Sequence, residues 1–98
     1  MPYAIIFFDR ENSENLRLEL RSAHIDYIRA HAPDVLASGG LLTDDGNTGH
    51  GGVIIIDTDD RRVAEDFVAK DPFFTGGIYG QYWISRWRKA FFAGQSFL

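Results

Sequence analysis

Apolar residues first gather at Tyr3 to Phe8, a β-prone run bounded by Pro2 and Asp9. Both alternating sets are apolar, with Tyr3, Ile5 and Phe7 on one face and Ala4, Ile6 and Phe8 on the other. Such a strand calls for cover on both sides. The period then changes. Leu16, Leu20, Ala23 and Tyr27 follow three-and-four spacing, which predicts a helix from about Glu14 to His31. Ser13 is placed to cap it, and Pro33 stops it because Ala32 is pushed out of the helical region.

Val35 to Leu42 predicts a second strand, distorted near Gly39-Gly40. The polar stretch from Thr43 to Gly52 carries four glycines and is expected to be a surface loop. Val53 to Ile56 predicts a third strand, apolar on both faces. A second helix is expected from Asp60 or Arg61 to Lys70, burying Val63, Ala64, Phe67 and Val68. Pro72 cannot continue that helix but suits the first position of a new turn, with Asp71 as its cap. Ile78 to Ile84 or Ser85 reads as the fourth strand, and residues 87–98 form an apolar tail with Phe91, Phe92 and Phe97.

Strand, helix, strand, strand, helix, strand is the ferredoxin-like βαββαβ order of an α+β sandwich, here one domain over residues 1–98. Two helices cover only one face of its sheet. The apolar second face predicts a homodimer, formed sheet to sheet or by tail exchange; the alternative is that the tail folds back over its own sheet.

Composition narrows the function. The 98 residues are 45% apolar and 14% aromatic, with net charge −4 and a pI near 5.2. Lys and Arg are scattered, so no basic stripe supports nucleic-acid binding. With no cysteine, disulfides, thiolate catalysis and thiolate metal sites are excluded. No basic leader or membrane-length apolar run is present, so a soluble cytoplasmic protein is expected, with no membrane partner.

His24 lies roughly 40° around the first helix from Leu20, at 100° per residue. Arg17 and Arg21 stand beside it, forming a basic edge along an apolar face. Arginine can clamp an anionic ligand group bidentately, which makes Arg17 and Arg21 candidate ligand contacts. Asp71 is fixed by backbone on both sides and flanked by aromatics. If it meets His24, it fixes the imidazole tautomer, which is half of a triad arrangement. Neither Ser22 nor Ser38 is placed as a nucleophile, so general acid–base chemistry fits better than a covalent intermediate. His31, at the helix end, reads as favourable against the helix dipole. His50 in the glycine loop and Tyr79 on the last strand are further candidates for the pocket. The three histidines lack metal-site spacing, and neither glycine cluster makes a nucleotide fingerprint. No metal and no cofactor are therefore expected.

These pieces resemble the YCII-related family. Arg21-Ser22-Ala23-His24 is similar to its helix signature, Gly39-Gly40-Leu41-Leu42 to its glycine and apolar pair, and Gly51-Gly52-Val53 to the opening of its third strand. Lys70-Asp71-Pro72-Phe73 matches its Asp-Pro-aromatic element, followed by Gly77-Ile78-Tyr79 and Ile84-Ser85-Arg86-Trp87. The resemblance implies a ferredoxin-like subunit in a dimeric α+β barrel, with His24 and Asp71 in one pocket and Arg21 as a ligand contact. One branch of the family is associated with dehydrochlorination of a chlorinated hydroxyhydroquinone. Two departures bear on the pocket and barrel edges: Thr43-Asp44-Asp45-Gly46 replaces the usual Gly-Pro, and Arg86 stands where proline often precedes the closing aromatic. The implied function is a cofactor-independent enzyme using His24 and Asp71 on a small anionic or phenolic molecule. The alternative is a non-catalytic dimeric module that binds a small ligand; a heme- or oxygen-handling relative is a third possibility.

Overall fold

The computed structural model describes residues 1–98. Its elements are β1 (Tyr3–Asp9), α1 (Glu14–Ala30), a 3-10 turn (Ala32–Asp34), β2 (Val35–Leu42) and β3 (Gly49–Ile56). These are followed by α2 (Arg61–Lys70), α3 (Pro72–Thr75) and β4 (Tyr79–Arg86), then the short strands β5 (Phe91–Phe92) and β6 (Gln95–Ser96). The four long strands form one antiparallel sheet in the order β2-β3-β1-β4, the split arrangement expected from the element order. No helix is long and apolar enough to cross a membrane.

The helices pack on the face carrying Ile5 and Phe7 of β1, Ile54 and Ile56 of β3, and Tyr79 of β4. Phe67 and Val68 of α2, Phe73 of α3 and Ile78 complete a core of nine buried side chains; Ala64 is buried as well, whereas Val63, expected on the buried side of α2, is exposed. Helix α1 contributes no fully buried residue. Leu16, Leu20, Tyr27 and Ile28 rest partly buried against the core, whereas Ala23, expected in the stripe, is exposed. The stripe runs through 16, 20, 24, 27 and 28, so His24 sits within the core-facing row rather than beside it.

Local rules explain most of the ends. Asp60 caps α2 by accepting from the Arg62 amide at 2.9 Å. Ser13 occupies the cap position of α1, but its hydroxyl turns back to the Arg10 carbonyl and makes no side-chain cap. The helix ends at Ala30, one residue earlier than expected; His31 Nδ1 bonds the Tyr27 carbonyl at 2.9 Å and so satisfies one of its terminal acceptors. Gly77 has φ +88°, a conformation that favours glycine, and it turns the chain from α3 into β4.

Two regions differ from expectation. Gly49-His50-Gly51-Gly52 is the start of β3, not loop: Gly52 pairs with Phe7, and Gly51 pairs with Phe8 and Leu41. Glycine reads as a breaker locally, yet a ladder partner on each side outweighs that preference. The tail does not spread over the sheet. It folds into its own two-stranded turn, with Phe91, Phe92 and Phe97 exposed and Lys89 over the Phe92 and Phe97 rings. The outer face thus keeps Phe8 and Trp83 at 41% and 50% exposure, with Ile6, Val53 and Ile55 half-buried between them.

At Gly52 a Cβ would stand 2.6 Å from a ring carbon of Phe7, inside the core. Gly52→Ala is expected to destabilise the fold by about 1–3 kcal/mol through overpacking, read as a lower urea midpoint at unchanged slope.

Candidate functional site

The site begins at the junction of α2 and α3. Asp71 ends one helix and starts the next, in extended conformation (φ −67°, ψ 126°), with Pro72 as the first residue of α3. Its side chain is fully buried and accepts three hydrogen bonds. Oδ1 takes the Phe73 amide at 2.9 Å and faces His24 Nδ1 at 2.7 Å; Oδ2 takes the Tyr79 hydroxyl at 3.1 Å. The capping bond and the imidazole bond share one oxygen, so Asp71 serves as cap and as partner of His24 at once.

His24 reaches this carboxylate from α1, forty-seven residues away in sequence. Its ring lies parallel to Phe73, with centroids 4.0 Å apart and 3° between planes. An oxygen that can only accept from an imidazole assigns the proton to Nδ1. Nε2 then carries the lone pair. It has no partner within the chain, and the side chain, 13% exposed, lines a cavity of about 510 Å³. Chemically, the arrangement holds one imidazole in one tautomer and one orientation, with a proton acceptor turned to solvent.

The cavity lies between α1 and the β2–β3 half of the sheet. Phe7, Phe73 and Ile54 make its apolar wall, Leu18, Ile25 and Leu42 line it nearer the surface, and Gly39, Gly40, Gly51 and Gly52 leave much of it as bare backbone. Ser38, Asn47, Thr48 and Glu14 add polar atoms. Arg21 lines it, and its guanidinium makes no ion pair within the chain.

The other candidates fall in different places. Arg17 also lines the cavity, but its Nη1 is 2.7 Å from each oxygen of Asp9, its Nη2 donates to the Gly51 carbonyl at 3.1 Å, and its guanidinium lies over the Phe73 ring. It ties α1 to β1 and β3, and its charge is paired with Asp9. Tyr79 is buried behind Asp71, stacked on Phe7 at 4.0 Å, and is not part of the cavity lining. His50 is exposed, stacked over Phe8 and outside the cavity. Asp9 and the ring of Phe73 had no signal of their own in the sequence. The first is a polar residue at a strand end, and the second was legible only as an aromatic after Asp-Pro.

Burial, the charge of Asp71 and the bond to it all push the Tyr79 hydroxyl well above its ordinary 10.0, so Tyr79 is a fixed donor. Tyr27 is raised to about 12 by burial and by the charges of Asp71 and Asp66; it donates to the Phe67 carbonyl at 2.7 Å.

A ferredoxin-like α+β chain with a histidine–aspartate pair beside an open cavity is the class defined so far. The YCII-related domain model matches residues 1–88, and the chain belongs to that family. Among solved structures it is similar to 5-chloro-2-hydroxyhydroquinone dehydrochlorinase (TftG) from Burkholderia phenoliruptrix AC1100, in complex with 2,5-dihydroxybenzoquinone. The TM-score is 0.83 at 24% identity, covering 90% of this chain and 94% of that one. A crystal structure of an antibiotic biosynthesis monooxygenase is similar at TM-score 0.51 and 19% identity, over 86% and 93% of the two chains. No curated protein matches the sequence.

Tyr79→Phe removes the only bond to Asp71 Oδ2 and is expected to cost about 1–3 kcal/mol at neutral pH. A tyrosine whose folded pKa is raised contributes stability that is intact below its unfolded value of 10.0 and is lost as pH climbs from there toward the folded value. Wild-type stability should therefore fall above pH 10, and Tyr79→Phe should fall less steeply over the same window. Urea unfolding followed from pH 7 to 11 checks both.

Proposed function

We propose that the chain is a cofactor-independent enzyme acting on a small phenolic or anionic molecule, with His24 as general acid–base and Asp71 as the residue that orients it. The observation that carries this reading is the 2.7 Å contact of His24 Nδ1 with a buried carboxylate, which leaves Nε2 without a partner on a histidine that lines the cavity. In the resting state Nε2 accepts a proton from a phenolic hydroxyl. The electron pair of that O–H bond moves into the ring, and the protonated imidazole returns the proton to a ring carbon. Where that carbon bears chlorine, chloride then leaves with the C–Cl electron pair while a second ring hydroxyl gives its proton to Nε2 and its O–H electron pair to the ring, which becomes a quinone; the net loss is HCl. Arg21 supplies the positive charge for the developing phenolate. The likeness to TftG supports the choice of a hydroxylated ring as first substrate to try.

The reading includes a homodimer. Phe8 and Trp83, with Ile6, Val53 and Ile55 between them, make too large an apolar patch to leave in water, and the tail leaves them uncovered. A second copy packed sheet to sheet covers the face and closes a two-subunit barrel.

His24→Asn is the decisive variant. Its Nδ2 falls close to the former Nδ1 and keeps the bond to Asp71, but Nε2 is gone. With 5-chloro-2-hydroxyhydroquinone as substrate, chloride release should drop by about 10²–10⁴-fold, with 2,5-dihydroxybenzoquinone binding held within a few-fold. Unchanged turnover in this variant would remove His24 from the chemistry. Light scattering should return twice the 11.1 kDa chain mass for the wild type and a lighter species for Trp83→Glu. A wild-type monomer at micromolar concentration would sink the barrel.

A further inference from the structure

Five glycines line the cavity, and the protein itself accounts for three of them. At Gly49 a Cβ would stand 2.7 Å from Arg17 Nε, at Gly52 it would stand 2.6 Å from the Phe7 ring, and at Gly51 it would overlap the Phe7 carbonyl oxygen. Those positions are glycine because neighbouring atoms occupy the space. Gly39 and Gly40 are different. Neither has positive φ, so the backbone does not require glycine at either. Gly39 has nothing within 4 Å of its would-be Cβ. Gly40 would place its Cβ at ordinary contact distance, 3.6 Å from Arg17 Nη2, 3.7 Å from Leu42 and 3.8 Å from the Gly51 carbonyl oxygen.

Both sit in β2, an edge strand, where glycine gives up packing and backbone order that almost any other residue would keep. The fold therefore bears a cost at Gly40 for which it has no internal use. Register places Gly40 opposite Gly52, whose missing Cβ faces the Phe7 ring, so both lie on the helix side of the sheet. The neighbours of the absent Cβ, Arg17 and the Gly51 carbonyl, belong to residues that line the same cavity as His24.

We propose that Gly40 determines ligand size. The backbone of β2 is the surface against which the ligand lies, and the missing side chain reserves that volume for it. The inference rests on the cavity being the ligand site, as the acid–base reading holds, and adds where the ligand rests and what limits it. A small ring with an acidic hydroxyl fits between bare backbone on one side and His24 Nε2 on the other. A side chain of three or more carbons at residue 40 takes part of that space.

The test is the series Gly40→Ala, Gly40→Val and Gly40→Leu, with 2,5-dihydroxybenzoquinone and the bicyclic 2-hydroxy-1,4-naphthoquinone as probes. Binding is measured by calorimetry and by amide shifts at residues 40 and 51. Alanine should weaken either probe by less than threefold. Valine and leucine should weaken the monocyclic probe tenfold or more and the bicyclic one further, with Tm at or above the wild-type value in all three. Wild-type affinity in Gly40→Leu overturns the proposal. So does a steep fall of Tm in Gly40→Ala, which would show that the fold itself needs glycine, and so does a wild type that binds neither probe in the cavity. Unchanged turnover in His24→Asn would instead remove the acid–base reading and leave the size series standing.

Discussion

A buried carboxylate must find hydrogen-bond donors or be abandoned, and Asp71 finds three on three different elements. The Phe73 amide comes from α3, the imidazole from α1 and the tyrosine hydroxyl from β4. Each donor is held by something else as well. The amide belongs to a helix started by Pro72, the imidazole lies on the Phe73 ring, and the phenol is stacked on Phe7 of the central strand. Removing any one leaves the other two with a partly satisfied charge in a dry place. Asp71 is therefore a structural joint, and the bond that holds α1 to the α2–α3 junction also orients its histidine.

This joint explains how α1 can be useful while being poorly buried. The helix contributes no fully buried side chain and touches the core through a partly buried row. Packing of that kind leaves space beneath the helix on the β2–β3 side, and the cavity occupies it. Arg17 keeps that looseness from becoming disorder of the wall. Its two contacts with Asp9 and one with the Gly51 carbonyl tie the helix across the gap to two strands. With Arg17 paired to Asp9, Arg21 is left as the free positive charge nearest the imidazole on the same helix.

Much of this was legible in the chain. The element order and the apolar period placed four strands and two long helices in the right sequence, and Asp-Pro marked a cap that the structure forms. The weak points share one cause. Ala23 and the Gly49–Gly52 run follow local preference in the sequence, and each is decided by neighbours remote in sequence. Leu20 and Ile28 take the buried side of α1 because the core lies there. Glycines enter β3 because Phe7 needs the room above Gly52. Ser13 is the exception, decided locally: its hydroxyl turns to the Arg10 carbonyl, three residues back, instead of the helix.

The amino-acid sequence by itself determined the ferredoxin-like order, the two-faced strands that call for a second layer of cover, and the identity of a histidine and an aspartate able to act together. It did so because hydrophobic period, proline and caps act over a few residues and can be read where they stand. Only the tertiary structure decided that Arg17 is spent on Asp9, that Tyr79 supports Asp71 from behind, that His50 lies outside the cavity, and that Gly40 has room its own fold does not use. Those outcomes depend on which side chains arrive from other elements, and distance in space is not written in distance along the chain.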